Sequence, residues 1–122
     1  MKSHSDNKKT VESVENTYGY KGLISLFNEL DIDMRDWVSQ QTTKERGGIE
    51  FALPNSQGEI YLNWGDLYVI DVKFIHSKKR YTETLNLYET KEIIKSLEQQ
   101  RQRHIDDIKD MLKDMFSGKD NK

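Results

Sequence analysis

The stretch YLNWGDLYVIDVKFIH, Tyr61 to His76, is the most strongly patterned part of this chain, and the fold turns on how it is read. Before Gly65-Asp66 apolar residues alternate in the period-two pattern of a half-buried strand; after it Leu67 to Ile70 are apolar on both faces, and Val72 and Phe74 then alternate with Asp71 and Lys73. A single strand through the whole stretch would far exceed the usual ~5–6 residues. Glycine followed by aspartate between strand formers is the sequence of a two-residue type II′ hairpin. The stretch therefore predicts two antiparallel strands that meet at Gly65-Asp66.

On the N-terminal side, Ile49, Phe51 and Leu53 alternate before the turn residues Pro54 to Gly58. Ile60, Leu62 and Trp64 alternate again. Beyond Phe74, His76-Ser77-Lys78-Lys79 makes another turn, and Tyr81, Leu85 and Leu87 lead to Tyr88. The result is a four-stranded antiparallel meander. Its expected core residues are Phe51, Trp64, Val72, Phe74 and Leu85.

Helical patterns flank the sheet. Leu23, Phe27, Leu30, Met34, Trp37 and Val38 recur at intervals of three and four within residues 22–41, the spacing of one helix face. Asp31 and Asp33 interrupt it, and Asp33 is a good cap for a second helix, so a break near 31–33 is favoured over one continuous helix. Gly47-Gly48 then starts the extended region. Thr90 reads as the N-cap of a last helix that reaches about Phe116, with Gly118 as its stop. The fold class is α+β: N-terminal helical segment, meander sheet, long C-terminal helix. Residues 1–17 are too polar to offset their ordering entropy and read as a disordered tail. Residues 18–116 form the domain, and 117–122 a flexible C-terminal tail.

Composition narrows the function. Of 122 residues, 34% are hydrophobic and 33% charged, with a formal net charge of −2. Such a balance suits neither a strongly basic nucleic-acid binder nor an acidic mimic of one. Cysteine is absent, so disulfides, thiolate metal sites and cysteine nucleophiles are excluded. The N-terminus has no apolar stretch of the secretory kind, and no run is long enough to span a bilayer. A cytoplasmic protein without membrane contact is expected.

Catalytic and cofactor chemistry finds little to work with. His4, His76 and His104 lack the paired spacing of a metal site. Asp31, Asp33 and Asp36 miss the glycine and glutamate positions of a calcium-binding loop and read as helix caps. No phosphate loop or nucleophile elbow occurs. Strand-borne carboxylates such as Glu59 and Asp71 could approach one another, but the spacing gives no reason to prefer them as a catalytic pair. No cofactor, no metal and no enzymatic activity are expected.

Two binding surfaces remain. On the last helix, Ile93, Ile94 and Leu97 serve the sheet, and after a polar interval Ile105, Ile108, Met111, Leu112, Met115 and Phe116 form a second apolar patch, which either packs on the domain along a bent helix or protrudes to meet a partner or a second copy. The sequence thus points to a small binding protein, a regulator, adaptor or inhibitor whose protein partner, or second copy, meets this patch. That outline is shared by accessory proteins of bacteria, phages and plasmids. The alternative is an RNA- or DNA-binding regulator that uses the basic hairpin tip Lys78, Lys79 and Arg80 with Arg101 and Arg103.

Overall fold

The computed structural model describes residues 18–120, with side chains as far as Phe116. The expected tail at 1–17 lies outside the described residues. Helix α1 spans Tyr18–Glu29 and is followed by a short 3₁₀ turn, Met34–Asp36. Five strands come next: β1 Val38–Thr42, β2 Gly48–Ala52, β3 Ser56–Leu62, β4 Tyr68–Phe74 and β5 Arg80–Leu85. Helix α2, Leu87–Asp120, closes the chain. The strands form one antiparallel sheet in the order β1-β2-β3-β4-β5. The α+β class and the meander are as read from sequence, but the sheet has five strands rather than four.

The extra strand is β1, which the helical spacing of Trp37 and Val38 concealed. Helix α1 ends before it. Asp31 adopts a left-handed φ of 58°, and Asp31 and Ile32 donate their backbone N–H groups to the carbonyls of Asn28 and Phe27. This is a Schellman stop, with aspartate where glycine is commoner. Asp33 then caps the 3₁₀ turn by accepting the Arg35 N–H, so the break and the capping role hold, on a shorter element than expected. The polar run Ser39 to Thr42 pairs only with β2. As an edge strand it buries little beyond Thr42, which is why no apolar alternation marks it.

The turn between β3 and β4 is where it was expected, but of another kind. Positive φ (63°) falls on Asp66, not on Gly65. Asn63 and Leu67 close a three-residue loop, and the Asn63 side chain accepts the N–H groups of Gly65 and Leu67. A type I turn followed by a left-handed residue answers this description better than a type II′ turn. One consequence is that Trp64 sits on the loop, 73% exposed, and is not a core residue.

Its place in the core is taken by Trp37, 1% exposed. The 3₁₀ turn swings this indole between Phe27 (ring centroids 5.0 Å apart, edge-on) and Phe51 (5.4 Å). Phe51, Val72 and Leu85 are buried as expected, and Phe74 is half-buried against the same cluster. One sheet face receives Leu23, Leu26 and Phe27 of α1 together with Ile94 and Leu97 of α2. Each such side chain contributes roughly 1.5–3 kcal/mol through the water it sheds. Close approach of α1 needs Gly19, because a Cβ there would overlap the backbone carbonyl of Gly47.

Helix α2 begins earlier than expected. Asn86 is its cap: the side chain accepts the Glu89 N–H while the Glu89 carboxylate accepts the Asn86 N–H. That reciprocal pair is a capping box. Thr90, read as the cap, is instead buried in the first turn, its hydroxyl donating to the Asn86 carbonyl. The helical backbone also continues past Gly118 to Asp120.

The two tryptophans should separate cleanly. Trp37→Ala is expected to cost about 3–5 kcal/mol, as large-to-small core changes do. Trp64→Ala should stay within about 0.5 kcal/mol. Urea unfolding followed by circular dichroism measures both.

Candidate contact helix and its anchor

Helix α2 has 34 residues and is therefore about 50 Å long, well beyond what a five-stranded sheet covers. Its first half is anchored. Ile94 is fully buried, Leu97 nearly so, and Ile93 half-buried. The anchor ends at a polar clamp. Trp37 donates its indole N–H to Glu98 Oε1 at 2.9 Å. Arg101 donates to both Glu98 oxygens at 2.7 and 2.8 Å. The same guanidinium reaches Asp36 at 3.7 Å. Arg101 and the Trp37 N–H hold the Glu98 carboxyl below the usual glutamate range. Arg101 and His104, which break the apolar stripe in the sequence, thus lie where α2 leaves the domain; both are half-buried.

Beyond Ile105, itself half-buried, every residue from Asp106 to Phe116 is exposed. The apolar residues of the expected patch are among them: Ile108 44%, Met111 64%, Leu112 48%, Met115 58% and Phe116 62%. They continue the anchored face. Ile93 and Met111, Ile94 and Leu112, Leu97 and Met115 are each eighteen residues apart, five turns at ~3.6 residues per turn. The face that serves as core in the first half runs on, uncovered, in the second.

The basic residues are not brought together as one patch. Arg80 is bound through two hydrogen bonds to Asp71, at 2.8 and 2.5 Å, and Arg101 belongs to the clamp. Lys78, Lys79 and Arg103 are exposed, and among the described residues none of the three forms an ion pair. Glu59 and Asp71 do face each other in register between β3 and β4. Each has its own cation, Lys44 at 2.5 Å and Arg80. Arg80 keeps the Asp71 carboxyl below the usual range, so it is ionised near neutrality and unsuited to donate a proton.

The histidines stand apart. His76 contacts the Asn55 side chain at 3.1 Å, His104 is on α2, and His4 lies outside the described residues. Among the described residues no group of three or more His, Asp and Glu side chains is arranged to hold a metal ion. None of the described helices is long and apolar enough to cross a membrane. A surface that the sequence pattern did not mark lies at the opposite end of the sheet, where Trp64, Leu67 and Tyr18 are exposed and Arg46 covers the Tyr18 ring at 4.8 Å. The signal was present in the turn residues Asn63, Gly65 and Asp66 around Trp64. No family model, curated protein or solved structure matches the chain.

The clamp predicts an acid dependence. A carboxyl whose folded pKa lies below its unfolded one stabilises fully above ~4.3, the ordinary glutamate value, and loses that contribution as pH falls through the folded value. Glu98→Gln should therefore be less stable than wild type at pH 7, with the gap closing below about pH 4. Parallel urea titrations of the two proteins at pH 7 and pH 3 measure it.

Proposed function

We propose that this chain is a small non-enzymatic binding protein, a regulator, adaptor or inhibitor that acts by protein–protein contact through the distal half of α2. The observation that carries this reading is the uncovered stripe. A folded domain gains nothing from holding Ile108, Met111, Leu112, Met115 and Phe116 in water on a projecting helix, and such surfaces mark interaction sites. Methionine at two of the five positions suits a surface that adapts to its partner. A helix laid into an apolar groove, read through residues spaced at three and four, is a familiar mode of recognition.

Nucleic-acid binding has less support. Two of its five basic residues, Arg80 and Arg101, already have carboxylate partners within the fold. The distal helix carries Asp106, Asp107, Asp110 and Asp114 against Lys109 and Lys113, which repels phosphate.

The joint substitution Met111→Lys and Met115→Lys tests the reading. Both side chains are exposed, so the thermal midpoint should move by no more than a few degrees. Partner capture from cell lysate should be lost in the variant. With the wild type it should survive nuclease treatment and raised salt, whereas phosphate-driven binding falls steeply with salt. A variant that unfolds would return the stripe to the core and end this proposal.

A further inference from the structure

A cleft that neither the clamp nor the distal helix uses opens between the edge of the sheet and the anchored half of α2. We propose that it binds a small organic ammonium, whose apolar body lies over Ile70, Val72 and Leu97 and whose charge meets Glu83 beside the Tyr81 ring. This goes beyond the contact reading of the distal helix and does not depend on it.

The cleft follows from how α2 crosses the sheet. Glu98 and Arg101 turn toward Trp37 and its 3₁₀ turn. Ile93, Ser96, Leu97 and Gln100, spaced at three and four, turn toward β4 and β5. Strand β5 is an edge of the sheet, and the helix covers it only in part: Tyr81 is 47% exposed and Phe74 half-buried. The space between measures about 290 Å³, at the small end of the ~300–1,000 Å³ usual for small-molecule sites. Its floor is dry protein, with Ile70, Val72 and Leu97 at 3%, 6% and 4% exposure. No basic side chain lines it.

Glu83 gives the cleft its preference. Tyr81, Glu83 and Leu85 alternate with Arg80, Thr82 and Thr84 and so share the inner face of β5. On that face Glu83 pairs in register with buried Ile70, an apolar neighbour for a carboxylate. The other carboxylates of the sheet, Glu50, Glu59 and Asp71, are held by Gln40, Lys44 and Arg80. Among the described residues Glu83 has neither a hydrogen bond nor an ion pair. An inward charge on an edge strand also deters pairing with a stray strand, but that role requires no cleft beside it.

An ammonium answers both the charge and the ring. Alternate residues of one strand are roughly 7 Å apart, so a cation between Glu83 and Tyr81 reaches both. The face of an aromatic ring attracts a cation through its quadrupole, and the Tyr81 ring is steadied edge-on against Phe74, with centroids 5.8 Å apart. Ser96 and Gln100 at the same cleft supply oxygen acceptors for the remaining N–H groups. A ligand with a carboxylate head would meet Glu83 with no lining cation to offset the repulsion. A neutral ligand would keep the apolar contacts and lose the rest.

Three probes that share one apolar body test this: phenylpropylamine, phenylpropanol and phenylpropanoate, which at pH 7 are cationic, neutral and anionic. Each is titrated into the full chain while the methyl NMR signals of Ile70, Val72 and Leu97 are followed. The amine should shift them saturably and bind about tenfold tighter than the alcohol, with the carboxylate weakest. In Glu83→Gln the lead of the amine over the alcohol should fall to about twofold, while the alcohol binds as before. Ser96→Trp, at an exposed position, should obstruct the cleft and weaken all three. That second variant keeps the proposal refutable should Glu83→Gln fold poorly. Equal affinities for the three probes overturn the ammonium assignment. No saturable shift with any probe up to about 10 mM, or shifts confined to the methyls of Met111 and Met115, overturn the site itself. Partner capture through the distal helix should be unchanged in Glu83→Gln, so failure here and failure of the contact reading are told apart.

Discussion

The indole of Trp37 is the point at which the separate parts of this fold are joined. Its ring fills the space between Phe27 of α1 and Phe51 of β2, and its N–H reaches across to Glu98 of α2. A buried indole brings a large apolar surface and one donor that must be matched. Glu98 matches it, and Arg101 neutralises Glu98 in turn. Because Asp36 of the 3₁₀ turn also faces Arg101, the segment that delivers Trp37 is tied to the helix that receives it. A chain so rich in charge has a small core, and Trp37 is the residue of it that touches helix, sheet and helix together.

The clamp also sets the limit of the domain. Up to Arg101 the inner face of α2 is used by the sheet; past Ile105 the same face meets water. The polar interval between them is not a fault in the stripe. It lies at the edge of the domain, where a guanidinium can bury its stem, keep its charge paired and orient the helix. Past that edge α2 is an apolar, one-sided rod of about three turns, presented at a set angle. Such presentation lowers the ordering entropy that a flexible segment would lose on binding.

Several features were legible in the residues because they depend on local patterning. Alternation at Ile60 and Leu62 and from Tyr68 to Phe74 marked β3 and β4, and the three-and-four spacing marked α1 and α2. Asp33 was legible as a cap, since a short carboxylate ahead of free N–H groups has little else to do. The patch from Ile105 to Phe116 was visible as an apolar group separated from the first by QQRQRH. Its exposure was not. Periodicity shows that two groups share a face; whether anything covers the second depends on where the sheet ends.

Other features lay beyond local pattern. Trp64 leaves the core place that alternation assigned it, because the side-chain acceptor of Asn63 and the left-handed Asp66 select a three-residue loop that carries it outward. Strand β1 carries no period of its own, since an edge strand paired on one side takes its conformation from β2. Arg80 and Arg101 read as free cations until the fold set carboxylates beside them. The order of elements apart from β1, the absence of thiol chemistry and the amphipathic faces were already present in the residues, because they depend on bond geometry and residue type along the chain. Which tryptophan is core, which charges are paired and which half of the last helix stays uncovered were settled by folding alone, because burial and pairing depend on neighbours far away in the chain.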